Sequence, residues 1–529
     1  MSKQMNERMN KPMRQPMKNA QSATRLSRLS VTLSVTLWMT TLAACSPMIP
    51  APAKVDAQLP QTLPASTTVA GQNTQALDIA AAPQSSLDER WRKVFTEPRQ
   101  QKMIELALQN NRDARVAVLN VERARALYQV QEADFYPDID GRAIGSRQRT
   151  SEALGNNRNN SSSGGSGGSG SNGTPQSVRA SIGFSAYELD LFGRIRSLNE
   201  EALQRYMATE SALNAAKLSL IAEVALADIN LATNQARVTL AQLNVSGLQR
   251  AFKLVSKRKE LGVSSELDLS LARNNMELAR IALAQAQRSL EQNTNALRIL
   301  LGGDIPKDLL IPQPTENEVL EEIAKAGANL REGRLVWPTI PADVQSDVLL
   351  NRPDLQQAES LLKASNARIG AARAAFFPSI SLTAEVGSAS TSLNGLFESG
   401  SRTWLFSPEI RIPIFDGGRN LANLKVAETD QQIALAQYEK SIQTAFREVA
   451  DVLAEQDSLR REYESRAIVI RNAQNGYKLA EARFNQGIDS YLVVIETQRQ
   501  WIAAQQGYLD TRQRRANMRV MLFKTLGGI

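Results

Sequence analysis

The chain has 529 residues, 42% of them hydrophobic but only 5% aromatic, and no histidine at all. Without imidazole the commonest general base and metal ligand are missing, and a single cysteine excludes both an internal disulfide and a cysteine-built metal cluster. The formal charge of +8 invites a nucleic-acid partner, but seven basic residues against one acid precede Val31, so the leader carries six of those eight charges and no nucleic acid is expected.

That leader is the first predicted element. A basic start is followed by the apolar run "LSVTLSVTLWMTTLAA" and then "LAAC", residues 42–45. The run is short and rich in Thr and Ser, whereas a spanning helix needs about 20 apolar residues. The pattern resembles a bacterial lipoprotein signal peptide over residues 1–44, with Met1 or Met17 as the start. Small residues before Cys45 suit a slim cleavage site, and the thiol takes the lipid. An ordinary buried cysteine is the plain alternative. Ser46 rather than an aspartate follows Cys45, which by analogy with lipoprotein sorting favours the outer membrane. Residues 45–90 then read as an extended, lipidated segment rich in Pro.

Beyond residue 90 the chain is written twice. "ADFYPDI" around Pro137 recurs as "AAFFPSI" around Pro378, and "FGR" at 192–194 as "FDGGR" at 415–419. "FKLVSKRKELGVSSELD" from Phe252 recurs as "YKLAEARFNQGIDSYLV" from Tyr477, and "LLGGDI" as "TLGGI". Gly193 and Gly418, Gly262 and Gly487, and Gly302 and Gly527 each lie 225 residues apart, but Pro137 and Pro378 lie 241 apart. The first repeat therefore carries 16 extra residues, where the polar stretch "NNRNNSSSGGSGGSGSNG" at 156–173 lies. The predicted organisation is a first repeat at 91–302, an irregular Pro-rich connector at 303–341 and a second repeat at 342–529.

Each repeat opens with a helix and then turns strand-like, over about 137–190 and 378–415. Val178, Ala180, Ile182, Phe184 and Ala186 alternate with Arg179, Ser181, Gly183, Ser185 and Tyr187. Ile380, Leu382, Ala384 and Val386 do the same in the second repeat, and Trp404, Phe406, Ile410, Ile412 and Ile414 share one face against Glu409 and Arg411. Period two over about ten residues fits a membrane barrel strand, with a soluble sandwich as the plain alternative, and beside a lipid anchor the membrane strand is favoured. Helical periodicity follows. Val224, Leu231, Val238, Val245 and Phe252 fall seven apart, with Ala227, Ala241, Leu248 and Val255 beside them, a coiled-coil seam. Proline is absent from 194 to 260 and from 420 to 486, so each repeat should hold one helix of ~100 Å at ~1.5 Å per residue, turning at Gly262 or Gly487 into a shorter one. The hairpins are predicted over about 194–301 and 419–526. Four strands cannot close a barrel, so a membrane reading demands oligomerisation.

From about Trp91 to Gly528 these motifs, in this order, resemble the TolC-like outer-membrane efflux family, in particular the NodT-type lipoprotein branch serving resistance-nodulation-division (RND) pumps. The resemblance implies a mainly α fold with a membrane β-barrel, a homotrimer whose 12-stranded barrel continues into a periplasmic α-helical barrel. It implies outer-membrane lipid around the barrel, a periplasmic adaptor (membrane-fusion protein) and an inner-membrane RND pump as partners, and a passive exit duct for drugs and toxic compounds. It also places 156–173 outside the cell as an external loop. "RFNQGIDSYLVVIETQR" at 483–499 resembles the family's tip motif, and "KRKELGVSSELDLSLAR" at 257–273 is its first-repeat counterpart. On that resemblance Gly262, Ser265, Leu267, Asp268, Arg483, Gly487 and Ser490 meet the adaptor, and Leu492 and Glu496 line the periplasmic gate. Glu496 stands where Asp is usual, and Val493 where some relatives carry another acid. The plain reading is that Leu492 packs the hairpin and Glu496 pairs with Arg499.

No nucleophile elbow, phosphate loop or metal-spaced acidic cluster is present, so neither an enzyme nor a cofactor beyond the lipid on Cys45 is expected. Two alternatives stand beside the efflux duct: a type I protein-secretion duct, and a coiled-coil surface lipoprotein or adhesin without a pore. An adhesin stalk has no need of two strand pairs at equivalent places in a repeat.

Overall fold

The computed structural model describes residues 47–55, 60, 62, 74–76, 87–147, 176–322, 337–339 and 346–528. Cys45, the leader and the 156–173 loop lie outside the described residues. The chain divides into two compact units.

The first unit comprises the described residues up to Pro50 together with Asp134–Leu198 and Ile369–Leu424. Its body is an antiparallel sheet of four strands, ordered β2 (Ile139–Arg147), β3 (Gln176–Leu189), β5 (Ser379–Ser390) and β6 (Arg402–Arg411). Cross-strand register puts Ile139, Phe184, Ala384 and Phe406 in one row and Gly141, Ile182, Val386 and Trp404 in the next, so one face is apolar across all four strands. The other face carries Ser181 beside Gly387, and Ser381 beside Glu409. A Cβ on Gly183 would come 2.1 Å from the Ala384 carbonyl oxygen, and one on Gly387 2.1 Å from that of Ala180, so only glycine lets β3 and β5 approach this closely there.

Two expectations need correction. Alternation put Ala186 on the apolar face and Tyr187 on the polar one, but a β-bulge interrupts β3 between Phe184 and Tyr187. Ala186 takes φ 55° and its N–H donates to Thr383 Oγ1 (3.1 Å), leaving Tyr187 opposite Leu382 on the apolar side. Ile412 and Ile414 were counted with the last strand, yet β6 ends at Arg411 and both follow it, 60% and 94% exposed.

The second unit is helical: α1 (Leu87–Val94), α2 (Pro98–Asn110), α3 (Arg112–Ala133), most of α4 (Arg194–Glu260), α5 (Glu266–Leu301), most of α6 (Pro353–Ala374), most of α7 (Arg419–Asn485) and α8 (Tyr491–Thr525). Among its described residues no helix is long and apolar enough to cross a membrane. Two short strands, β1 (Thr74–Ala76) and β4 (Trp337–Thr339), pair in parallel. The long helices α4 and α7 each have 67 residues, and both ends of α7 lie 225 positions beyond those of α4. Val224, Leu231, Val238, Leu248 and Val255 of the predicted seam are buried. One core packs α1, α2, α4, α5 and α8 around Trp91, Met103, Ile221, Leu297 and Phe523. Another packs α6, α7 and α8 around Leu355, Val449, Leu459 and Leu522. The described connector lies along α4, where Gln235 Nε2 donates to the Ile311 carbonyl (2.9 Å) and Thr239 Oγ1 to that of Pro314 (3.0 Å).

The repeat extends to how each hairpin is tied off. Asn111, just before α3, donates to the Leu300 carbonyl (3.0 Å) at the end of α5. Arg352, just before α6 and 241 positions later, donates to the Thr525 carbonyl (2.8 Å) at the end of α8, 225 positions beyond Leu300. In both cases a side chain satisfies a C-terminal carbonyl that the helix cannot satisfy itself. Arg352, 7% exposed, also forks onto Asp354 (3.0 and 2.8 Å) and reaches Glu448 (2.8 Å). Arg352→Ala should therefore lower stability by about 2–3 kcal/mol, less than for a fully buried pair because Asp354 and Glu448 stay partly exposed. Denaturation followed by far-ultraviolet circular dichroism measures this, with Arg352→Lys recovering only part of the loss because it lacks the fork. An unchanged midpoint in Arg352→Ala would contradict the assignment.

Candidate functional site at the helical hairpin tips

Both hairpins end in the same turn for the same reason. Gly262 and Gly487 adopt φ +74° and +76°, a left-handed conformation that glycine enters without steric cost. The N–H of Gly262 bonds the Lys259 carbonyl and that of Val263 the Arg258 carbonyl, 2.9 and 2.8 Å. Gly487 and Ile488 repeat the pattern on Phe484 and Arg483, 3.0 and 2.9 Å. These are Schellman closures of α4 and α7.

The fastening beyond the turn differs between repeats. Ser265 caps α5 in a full capping box: its hydroxyl accepts from Asp268 N (3.1 Å), while Asp268 Oδ2 accepts from Ser265 N (3.0 Å). Asp268 thus has a structural duty besides its expected place on the tip surface. Ser490 occupies the equivalent position at α8 but makes no side-chain cap, and Val493 in place of the acid cannot return the reciprocal bond to the Ser490 backbone N–H. The second tip is instead closed by Arg483, whose Nε and Nη2 donate to Asp489 (2.6 and 3.0 Å) and hold its carboxyl below the usual range. Arg258, the first-repeat counterpart of Arg483, faces Ser264 rather than an acid in sequence and lies over the Phe484 ring at 4.3 Å. Sequence reasoning missed both arginine contacts, although the loss of the acid at 264 was visible in the 225-residue offset.

Beneath the tips the two hairpins share one apolar cluster of Val255, Ala272, Phe484, Tyr491, Val494 and Ile495. Burial pushes the Tyr491 hydroxyl up to about 12, helped by the charge of Asp268, and Tyr477 likewise to about 12, helped by Glu481. Both tyrosines are neutral at physiological pH. Tyr477 also stacks on Trp501 with centroids 5.2 Å apart.

The inward face of α8 is thus taken by Tyr491, Val494 and Ile495, and the helix turns Leu492 outward, 60% exposed, with Val493 beside it and Glu496 exposed one turn later. Leu492 does not pack its own hairpin. Glu496 Oε1 accepts from Gln500 Nε2 (3.2 Å) rather than pairing with Arg499. On the first tip Leu261, Val263 and Leu267 are 79%, 63% and 67% exposed. Apolar side chains held out on two rigid turns call for a partner surface. Ser265 and Ser490 sit at the head of α5 and α8 beside these side chains, so the structure groups all the expected tip residues on the two turns.

The family model for outer membrane efflux proteins matches residues 103–303 and 344–528, leaving out most of the connector. The probable efflux pump outer membrane protein TtgC of Pseudomonas putida is 40% identical over 455 residues, covering 86% of this chain and 87% of that protein. Among solved structures, CusC matches with 33% identity and a TM-score of 0.75 over 91% of this chain and all of that one. The open-state MtrE outer membrane channel of Neisseria gonorrhoeae matches with 33% identity and a TM-score of 0.73, over 91% of this chain and 98% of that one. With both repeats matched and the connector passed over, as the internal duplication requires, the chain belongs to the outer membrane efflux protein family.

Proposed function

We propose that three copies of this outer membrane efflux protein form a passive exit duct, fed by an inner-membrane RND pump through a periplasmic adaptor. The observation that carries the reading is the four-stranded sheet, apolar on one face and, among the described residues, unpaired at both edges, built from the same two repeats as the long hairpins. Neither a pore-free adhesin nor a soluble stalk has a use for it. A protein-secretion duct shares the architecture, and the lipobox at Cys45 favours small-molecule efflux over it. The substrates are drugs and toxic compounds selected upstream by the pump, because a duct needs few specific contacts. Lipid on Cys45 anchors each copy to the outer membrane, and the loop at 156–173 faces outside, where Gly and Ser need no packing.

The helical hairpin tips meet the adaptor through Gly262, Ser265, Leu267, Asp268, Arg483, Gly487 and Ser490. Three copies of Leu492 around the axis form the resting constriction. Three Glu496 carboxylates repel one another and cannot hold the pore shut, but they set which ion passes.

Planar-bilayer recording tests the gate. Leu492→Ala should raise the resting conductance several-fold, while Glu496→Gln should shift the reversal potential in a salt gradient towards weaker cation preference with little change in conductance. Wild-type conductance in Leu492→Ala places the constriction elsewhere, and an unchanged reversal potential in Glu496→Gln means the carboxylate does not face the lumen. Metabolic labelling with a fatty-acid probe tests the anchor: Cys45→Ala should lose the label completely, and retained label would rule the site out. Replacing Ser265 and Ser490 together by Glu should abolish export while the oligomer stays intact, and persistent export would remove these tips from the adaptor contact.

A further inference from the structure

The apolar face of the four-stranded sheet is uncharged except at one end. The chain enters and leaves the helices at the end marked by Ile139, Leu189, Ser379 and Arg411, and it turns back at the other, after Arg147 and after Ser390. From Ile139 to Gly145 on β2, Gln176 to Leu189 on β3, Ile380 to Ser390 on β5 and Trp404 to Ile410 on β6, every position on the apolar face is uncharged. The two that remain both lie at the turn end: Arg147, the last residue of β2, and Arg402, the first of β6. Register fixes their side. Ser146 and Ser177 join their hydroxyls (2.8 Å) on the opposite face, so the next pair along, Arg147 and Gln176, stands on the apolar one. Arg402 opposes Ser388, with Ala180 and Ala143 next in the same row, side chains too small to cover a guanidinium. Both arginines are exposed, and among the described residues neither is in an ion pair. Glu398, on the turn just before Arg402, carries its carboxylate back over Gly395, 3.7 Å from where a Cβ there would stand.

A lipid-facing arginine is costly at the middle of a bilayer and tolerated near its surface, where tryptophan rings collect at headgroup level. Trp404, 80% exposed, is the next residue on the apolar face along β6 from Arg402. Two residues at ~3.4 Å each, on a strand tilted by ~40°, lift Arg402 about 5 Å above Trp404, the step from the edge of the hydrocarbon to the plane of the headgroup phosphates. We propose that Arg147 and Arg402 form a rim site for phosphate-bearing lipid headgroups of the outer leaflet. This rests on the reading that the apolar face meets lipid and that the turn end lies outside. Each guanidinium donates two parallel N–H bonds to phosphate oxygens, the recognition for which its planar fork is suited. Below Arg402, Trp404 and Val386, which oppose each other in the next row, meet the acyl chains. Charge complementarity selects the occupant. Two cations that lack an acid, standing directly above an apolar surface, fit an anionic group on an apolar anchor, and neither a soluble anion nor an uncharged glycolipid supplies both. Headgroups held at the rim set the depth at which the sheet sits in the membrane.

The test uses the full chain in mild detergent, titrated with bisphosphorylated lipid A, with the same lipid stripped of its phosphates and with inorganic phosphate, the bound lipid being counted by native mass spectrometry. Arg147→Gln/Arg402→Gln should bind lipid A about 30-fold more weakly, at roughly fivefold for each arginine beside anionic headgroups, and should bind the stripped lipid as the wild type does. Arg147→Lys/Arg402→Lys should recover part of the affinity, since it keeps the charge and loses the fork. Arg179→Gln, on the opposite face of β3, should bind lipid A as the wild type does. Millimolar inorganic phosphate should leave the lipid in place, because it lacks the acyl contact. Equal affinity of the wild type and Arg147→Gln/Arg402→Gln for lipid A, or an equal loss in Arg179→Gln, overturns the inference. Displacement of the lipid by millimolar phosphate overturns the lipid assignment in favour of a free anion. Each of these outcomes leaves the duct standing. The underlying reading has its own check: in vesicles of brominated phosphatidylcholine, part of the quenched tryptophan emission should disappear in Trp404→Phe, and quenching that does not depend on Trp404 overturns the lipid-facing assignment of the sheet itself.

Discussion

A backbone amide or carbonyl in hydrocarbon finds no water to bond, so every strand placed there must be paired on both sides. This constraint organises the rest of the molecule. Four strands make three ladders and leave two edges, β2 and β6, which no further strand among the described residues of the chain can close. Within the sheet a bulge at Ala186 interrupts the β3–β5 pairing, and glycines at 183 and 387 let the two strands approach closely, while the apolar face runs across all four strands.

The helical unit is held by a different economy of forces. Small and branched apolar residues at seven-residue spacing let long helices lie close together, and the carbonyls left open at the hairpin ends are closed by side chains just before α3 and α6. Asn111 does this with a neutral amide and Arg352 with a charge shared among three acceptors. The tips show the same divergence on a fixed frame. Two glycines with left-handed φ impose one turn, while a capping box secures one side and an arginine–aspartate fork the other. What duplication preserved is backbone geometry, and what changed is the side-chain chemistry that secures it.

Much of this was legible in the sequence because it depends on period and spacing. The helix ends at Glu260 and Asn485 follow from the absence of proline and from glycines at equal offset, and the apolar face of β5 and β6 follows from an alternation that between Trp404 and Ile410 only Leu405 breaks. The bulge was not legible. Alanine at φ 55° is unusual, and its N–H donates to the hydroxyl of Thr383, nearly two hundred residues away. The end of β6 was overrun because the alternation in "RIPIF" continues past the last pairing partner that one chain supplies. The exposure of Leu492 could be anticipated only from resemblance, since its direction is set by which neighbours fill the cluster with Phe484 and Val255.

The central claim is that the sheet closes by association of three identical chains. Native mass spectrometry of the protein extracted in mild detergent measures this directly. The account predicts a dominant species of three chains, each carrying lipid mass, giving twelve strands and no free edge. A stable species of one, two or four chains would contradict it.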